Sequence, residues 1–133
     1  MRVLLVDDNR QDMAQYADEV RQLGHEVHHA HDLAELEKAL ERSDFGGAII
    51  DLMFAPLRGI PPEETDCGYR AGVYLYSEVV AAKLPGLPFV VLTGVDDSTS
   101  TYKVAIRALG ALRGFAGVFI KPIDPELVMA ALC

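Results

Sequence analysis

Tryptophan is absent from the 133 residues, and cysteine is nearly so. Cys67 and Cys133 stand far apart, with neither the spacing of a metal-binding pair nor the number that a disulfide framework needs, and they read as reduced bystander thiols. Positive charge is scarce as well. Lys and Arg number 12 against 20 Asp and Glu, a formal net charge of −8, and the basic residues form no block. That balance argues against direct binding to nucleic acid or to an anionic membrane. No apolar run approaches the about 18 residues that a membrane crossing needs. The start MRVLLV turns acidic at Asp7, too early for a secretory signal. The expectation is a cytoplasmic protein without membrane insertion.

What is present is apolar. Half of the residues are hydrophobic and 24% are charged, enough in a chain of this length for one compact domain over 1–133. Short continuous apolar runs alternate with amphipathic stretches: VLLV (3–6), the weaker EVHHA (26–30), AII (48–50), FVVL (89–92) and GVFI (117–120). Continuous rather than alternating runs suit parallel strands covered on both faces by helices. Met13, Ala17 and Val20 share one helix face, as do Leu33, Leu36 and Leu40. Asp32 with Glu35 resembles a capping box, and Gly24 reads as a helix stop. A third helix is expected from about Tyr69 to Lys83, a fourth from about Ser98 to Leu112, and a fifth after Asp124-Pro125.

Five β/α units predict an α/β domain: one doubly wound, five-stranded parallel sheet, flavodoxin-like, with strand order 2-1-3-4-5. Ligands in such sheets bind at the carboxyl ends of the strands, near the point where the order reverses. Asp7 and Asp8 follow the first run, Asp51 the third, Thr93 the fourth and Lys121 the fifth. Three carboxylates brought together repel one another, and a hard divalent cation such as Mg²⁺, which keeps waters and shares phosphate oxygens, resolves the conflict. With a hydroxyl and an ammonium beside them, they make the parts of a phosphoryl-transfer site.

The ordered set VLLVDD, AIID, VVLTG and FIKP resembles the CheY-like receiver domains of two-component response regulators, over essentially the whole chain. The resemblance implies that Asp51 accepts a phosphoryl group from a sensor histidine kinase or phosphotransfer protein. It implies Mg²⁺ held by Asp7, Asp8, Asp51 and the backbone carbonyl of Met53, with Thr93 and Lys121 contacting the phosphoryl group. The aspartyl phosphate would then switch a downstream effector protein. Leu127, Val128, Met129 and Leu132 offer a docking face, for instance for a second copy.

Two departures from the pattern stand out. The aromatic that many receivers carry three residues before the lysine is Val118 here, and Phe119 points to the other strand face. A segment rich in Pro and acid, at about 60–68, reads as an insertion after Asp51, expected to border the site and restrict kinase docking or water access. The alternative reading is a pseudo-receiver that binds partners without phosphate. A Mg²⁺ phosphohydrolase fits less well, because Asp7 and Asp8 are adjacent rather than two apart. Flavin binding is opposed by the acidic turn after the first strand. The imidazoles of His25, His28, His29 and His31 invite a zinc reading, but strand alternation sends His28 and His29 to opposite faces.

Overall fold

The computed structural model describes residues 1–7, 10–41, 44–51, 75–93, 106–120 and 123–133. Its strands are β1 (Arg2–Val6), β2 (Glu26–Ala30), β3 (Gly47–Asp51), β4 (Phe89–Thr93) and β5 (Phe115–Ile120). They pair in parallel in the expected order β2-β1-β3-β4-β5. The helices are α1 (Arg10–Gln22), α2 (Leu33–Ala39), a π-helical segment (Leu75–Val80) running into α3 (Ala81–Lys83), α4 at 106–110, and α5 (Pro125–Leu132). The segment at about 60–68 and the first parts of the expected third and fourth helices lie outside the described residues. No helix among the described residues is long and apolar enough to cross a membrane.

Strand alternation splits the core into two layers. Val3, Leu5, Ile49, Val90 and Leu92 pack against α1 and α5 through Met13, Ala17, Val20 and Val128. Leu4, Val6, Ala48, Ile50 and Val91 pack on the opposite face against Leu36, Tyr76, Val80 and Leu109. The central strands β1, β3 and β4 therefore bury both faces, which is why their runs are continuous. Each such Leu, Ile or Val contributes about 2 kcal/mol through burial.

Local signals act as expected at several ends. Gly24 takes a φ of +94° after α1. The Asp32 carboxylate accepts from the Glu35 amide at 2.8 Å, and the Glu35 carboxylate accepts from the His31 amide at 2.7 Å, tying the end of β2 to the start of α2. The Asp124 carboxylate caps α5 by accepting from the Glu126 amide at 3.0 Å, with Pro125 in the first turn.

Three features differ from the sequence reading. β5 begins at Phe115 rather than 117, and its register against β4 jumps from Phe89↔Phe115 to Val90↔Gly117. This bulge uses the φ of +149° at Gly117. β5 is also an edge strand with Ala116 and Ile120 exposed, so it is not covered on both faces. Second, the helical period turns Val128, Met129 and Leu132 into the core, leaving Leu127, 57% exposed, as the outward member of the apolar set on α5. Third, Leu75–Val80 is π-helical. Tyr76 and Val80, four positions apart and therefore on one side of the helix, are both fully buried.

Tyr76 stacks on Phe89 with ring centroids 3.6 Å apart, and its hydroxyl donates to the carbonyl of Leu87 at 2.6 Å. Burial pushes its phenol up to about 12. The folded state thus holds the proton more tightly than the unfolded chain, whose tyrosine titrates near 10. Tyr76 supplies its full stabilisation below pH 10 and loses it as pH rises from 10 to 12. Urea unfolding across that window is expected to show the wild type losing about 2 kcal/mol that Tyr76→Phe does not lose. Parallel pH profiles for the two proteins would contradict this.

Candidate functional site

The site begins with Asp7. It directly follows β1, is 1% exposed, and is the buried charged side chain among the described residues. Hydrophobic β1 delivers it there: four successive buried residues leave the chain at the carboxyl edge of the sheet before it turns toward α1. The Asp7 amide extends the ladder by donating to the carbonyl of Ala30 at 3.2 Å. Its carbonyl lies 3.1 Å from Nε2 of His29. A carbonyl can only accept, so Nε2 carries the proton. Burial and the neighbouring His31 push the His29 imidazole below its ordinary value, an effect that its contact with Asp7 partly opposes. The neutral ring with the proton on Nε2 is the form this geometry favours.

The other strand tips are placed by register. Val6 pairs with Ile50, so Asp7 and Asp51 each stand one step past that pair, on adjacent strands about 4.8 Å apart. Asp51 pairs with Leu92, the residue before Thr93, and Thr93 pairs with Ile120, the residue before Lys121. The fold therefore brings Asp7, Asp51 and Thr93 to one edge, across the three central strands, beside the point where the order reverses between β1 and β3. Asp8, Met53 and Lys121 lie outside the described residues. Among the described residues no group of three or more His, Cys, Asp or Glu side chains gathers around one point, but a buried carboxylate one strand spacing from a second carboxyl-bearing residue supplies hard oxygen donors, the ligand type that divalent cations such as Mg²⁺ take.

The histidines divide among different partners. His28 packs edge-on to Phe45 at 6.3 Å, His29 lies 3.9 Å from His31 between ring centroids, and His25 Nδ1 is 3.2 Å from the N-terminal amine. Nothing in the sequence singles out His29, and the structure joins it to Asp7. The signal was a polar side chain near the end of a strand beside β1, but its use depends on the β1–β2 register. Val118 packs on the α2–α4 face and Phe119 on the α1–α5 face, as alternation predicts.

A groove between α1 and the start of α5 is lined by Glu19, Leu23, Ile123, Asp124 and Glu126. Beside it, burial followed by the carboxylates of Asp124 and Glu19 raises the phenol of Tyr16.

Solved structures share this architecture. A response regulator from Burkholderia pseudomallei, with a phosphorylated aspartic acid, a calcium ion and citrate, aligns over 99% of this chain and 66% of its own, with TM-score 0.71 and 24% identity. A CheY-like receiver domain from Methanospirillum hungatei JF-1 aligns over 97% of this chain and 87% of its own, with TM-score 0.69 and 20% identity. This chain has the receiver fold. A chemotaxis protein of Vibrio cholerae aligns over 98% of this chain and 94% of its own, with TM-score 0.65 and 22% identity. No family model matches the sequence, and no curated protein matches it. In the receiver fold the strand order, its reversal point and the edge carrying Asp7, Asp51 and Thr93 coincide with the sequence reading.

Proposed function

We propose that the chain is a receiver that takes a phosphoryl group on Asp51 from a phosphohistidine, as a phosphorylation-controlled switch in cytoplasmic two-component signal transduction. The observation that carries the reading is the line of Asp7, Asp51 and Thr93 at adjacent strand tips of the receiver fold, beside the reversal of strand order. The phosphoaspartate and divalent cation in the Burkholderia pseudomallei protein support it.

In the proposed reaction a carboxylate oxygen of Asp51 attacks phosphorus. A new P–O bond forms as the P–N bond of the donor histidine breaks, and the departing imidazole keeps the electron pair and takes up a proton. Water reverses the state by attacking the acyl phosphate, which releases inorganic phosphate and restores the carboxylate. Asp7, Asp8, Asp51 and the carbonyl of Met53 would hold Mg²⁺, which when bound neutralises phosphoryl charge. Thr93 donates its hydroxyl to a phosphoryl oxygen and Lys121 places an ammonium against another. A sensor histidine kinase or phosphotransfer protein supplies the group, and an effector protein reads it. The segment at about 60–68, which follows Asp51 in the chain, is proposed to limit access to it.

Val118 favours a second reading, because a half-buried valine offers no aromatic rotamer switch on that strand. In that case the chain is a pseudo-receiver that binds its partner without phosphate. Incubation with acetyl phosphate and Mg²⁺, read by intact mass, separates the two. One added phosphoryl group, mapped to Asp51 and abolished by EDTA, is expected. Absence of uptake from both acetyl phosphate and phosphohistidine donors would leave the pseudo-receiver.

A further inference from the structure

Asp7 is tied to β2 through both of its backbone polar groups, and the two ties differ in kind. The amide donates to the carbonyl of Ala30 at 3.2 Å, a continuation of the parallel ladder beyond Val6. The carbonyl takes its donor from a side chain, Nε2 of His29 at 3.1 Å. A peptide group is planar, so a bond to its oxygen orients the whole plane by which the chain leaves Asp7. That plane, with the amide bond behind it, sets both backbone torsions of Asp7 and hence the direction of its Cα–Cβ bond.

His29 is itself held. Its ring lies 3.9 Å from that of His31, and the backbone of His31 is fixed by the Glu35 carboxylate, which accepts from its amide at 2.7 Å. Glu35 belongs to the first turn of α2, whose cap is Asp32. A connected set of contacts therefore runs from the start of α2 through His31 and His29 to the backbone of Asp7.

We propose that His29 is a positioning residue for the divalent-cation site, holding the Asp7 peptide so that the buried carboxylate of Asp7 is preset to ligate. The inference rests on the phosphoryl-transfer reading above and adds a residue to it. A ligand held by outer hydrogen bonds loses little freedom on binding metal, whereas a loosened one must be ordered by the ion.

Calorimetric titration with Mg²⁺ alone tests it in wild type, His29→Phe, His29→Ala and His29→Gln. Phe keeps a ring without a donor, Ala removes both, and Gln restores an N–H. His29→Phe and His29→Ala are expected to raise the Mg²⁺ Kd about 10-fold, and His29→Gln to recover most of the loss. Phosphorylation by acetyl phosphate at saturating Mg²⁺ is expected to stay near the wild-type rate in all three, so the defect is one of affinity. Val20→Ala, a core truncation on α1 remote from the strand tips, is the control for lost stability and is expected to leave the Mg²⁺ Kd unchanged. Wild-type affinity in folded His29→Phe or His29→Ala, or no recovery in His29→Gln, would overturn the inference alone. A wild-type protein that binds no Mg²⁺ would overturn the reading beneath it as well.

Discussion

Asp51→Asn is expected to gain no phosphoryl mass under conditions in which the wild type gains one, a fall in rate of at least about 10³-fold. The substitution is nearly isosteric, so the geometry of the strand tip is kept and the chemistry is changed. A carboxylate oxygen can form the P–O bond; a carboxamide, with its nitrogen lone pair delocalised into the carbonyl and no negative charge, is a far poorer nucleophile. The fold is expected to survive, because the described tie between residue 51 and the sheet is the backbone pairing with Leu92, which does not depend on the side chain. The thermal midpoint should therefore stay within a few degrees of wild type or rise, since one of the clustered negative charges is gone. Mg²⁺ affinity should fall, because a charged oxygen ligand has been replaced by a neutral one. Intact mass, a thermal melt and a Mg²⁺ titration on the same sample read all three effects. Undiminished uptake by Asp51→Asn would move the acceptor to another residue and remove the central step of the proposed reaction.

The strand tips were legible in the sequence because they depend on little. A buried parallel strand is a short continuous apolar run, and the first polar residue after it stands at the carboxyl edge whatever the details of packing. Asp7 and Asp51 are such residues, and the register places them side by side. The handedness of crossovers leaves few strand orders for five such runs, and the order 2-1-3-4-5 rests also on the precedent of flavodoxin-like sheets.

Features that depend on register or on asymmetric cover were not legible. The first residues of β5 were missed because an edge strand is covered unevenly: Phe115 packs inward while Ala116 is exposed, and the bulge at Gly117 breaks the alternation that would reveal it. The apolar residues of α5 looked like a docking face because composition does not show direction. The helical period sends Val128, Met129 and Leu132 inward. The role of His29 is illegible in the sequence for a third reason. Its partner is a main-chain oxygen 22 positions away, brought within 3.1 Å only by the pairing of Leu5 with His29 and of Val6 with Ala30.

Gly114→Ala is expected to be among the most damaging single changes to the fold, and the comparison that establishes it is built into the chain. Gly24 and Gly114 have the same φ of +94°. A Cβ at Gly24 would meet nothing within 4 Å, whereas one at Gly114 would lie 2.9 Å from the carbonyl carbon of Leu87 and closer still to its oxygen. Gly24→Ala therefore measures the backbone cost of a side chain in the left-handed region, about 1 kcal/mol. Gly114→Ala adds a clash with main chain that cannot yield freely. The Leu87 oxygen accepts the Tyr76 hydroxyl at 2.6 Å, and the Gly114 carbonyl accepts from the Phe89 amide at 2.9 Å. Moving either segment breaks a buried hydrogen bond at the entrance to β4 or β5 and disturbs the Tyr76–Phe89 stack. A total of about 3–5 kcal/mol is expected, a large share of the about 5–15 kcal/mol that stabilises a domain. The thermal midpoint should fall by about 10–20 °C, against a few degrees for Gly24→Ala. Equal losses in the two variants, measured by urea unfolding, would show that φ alone sets the cost and that the approach of Leu87 to Gly114 carries none of it.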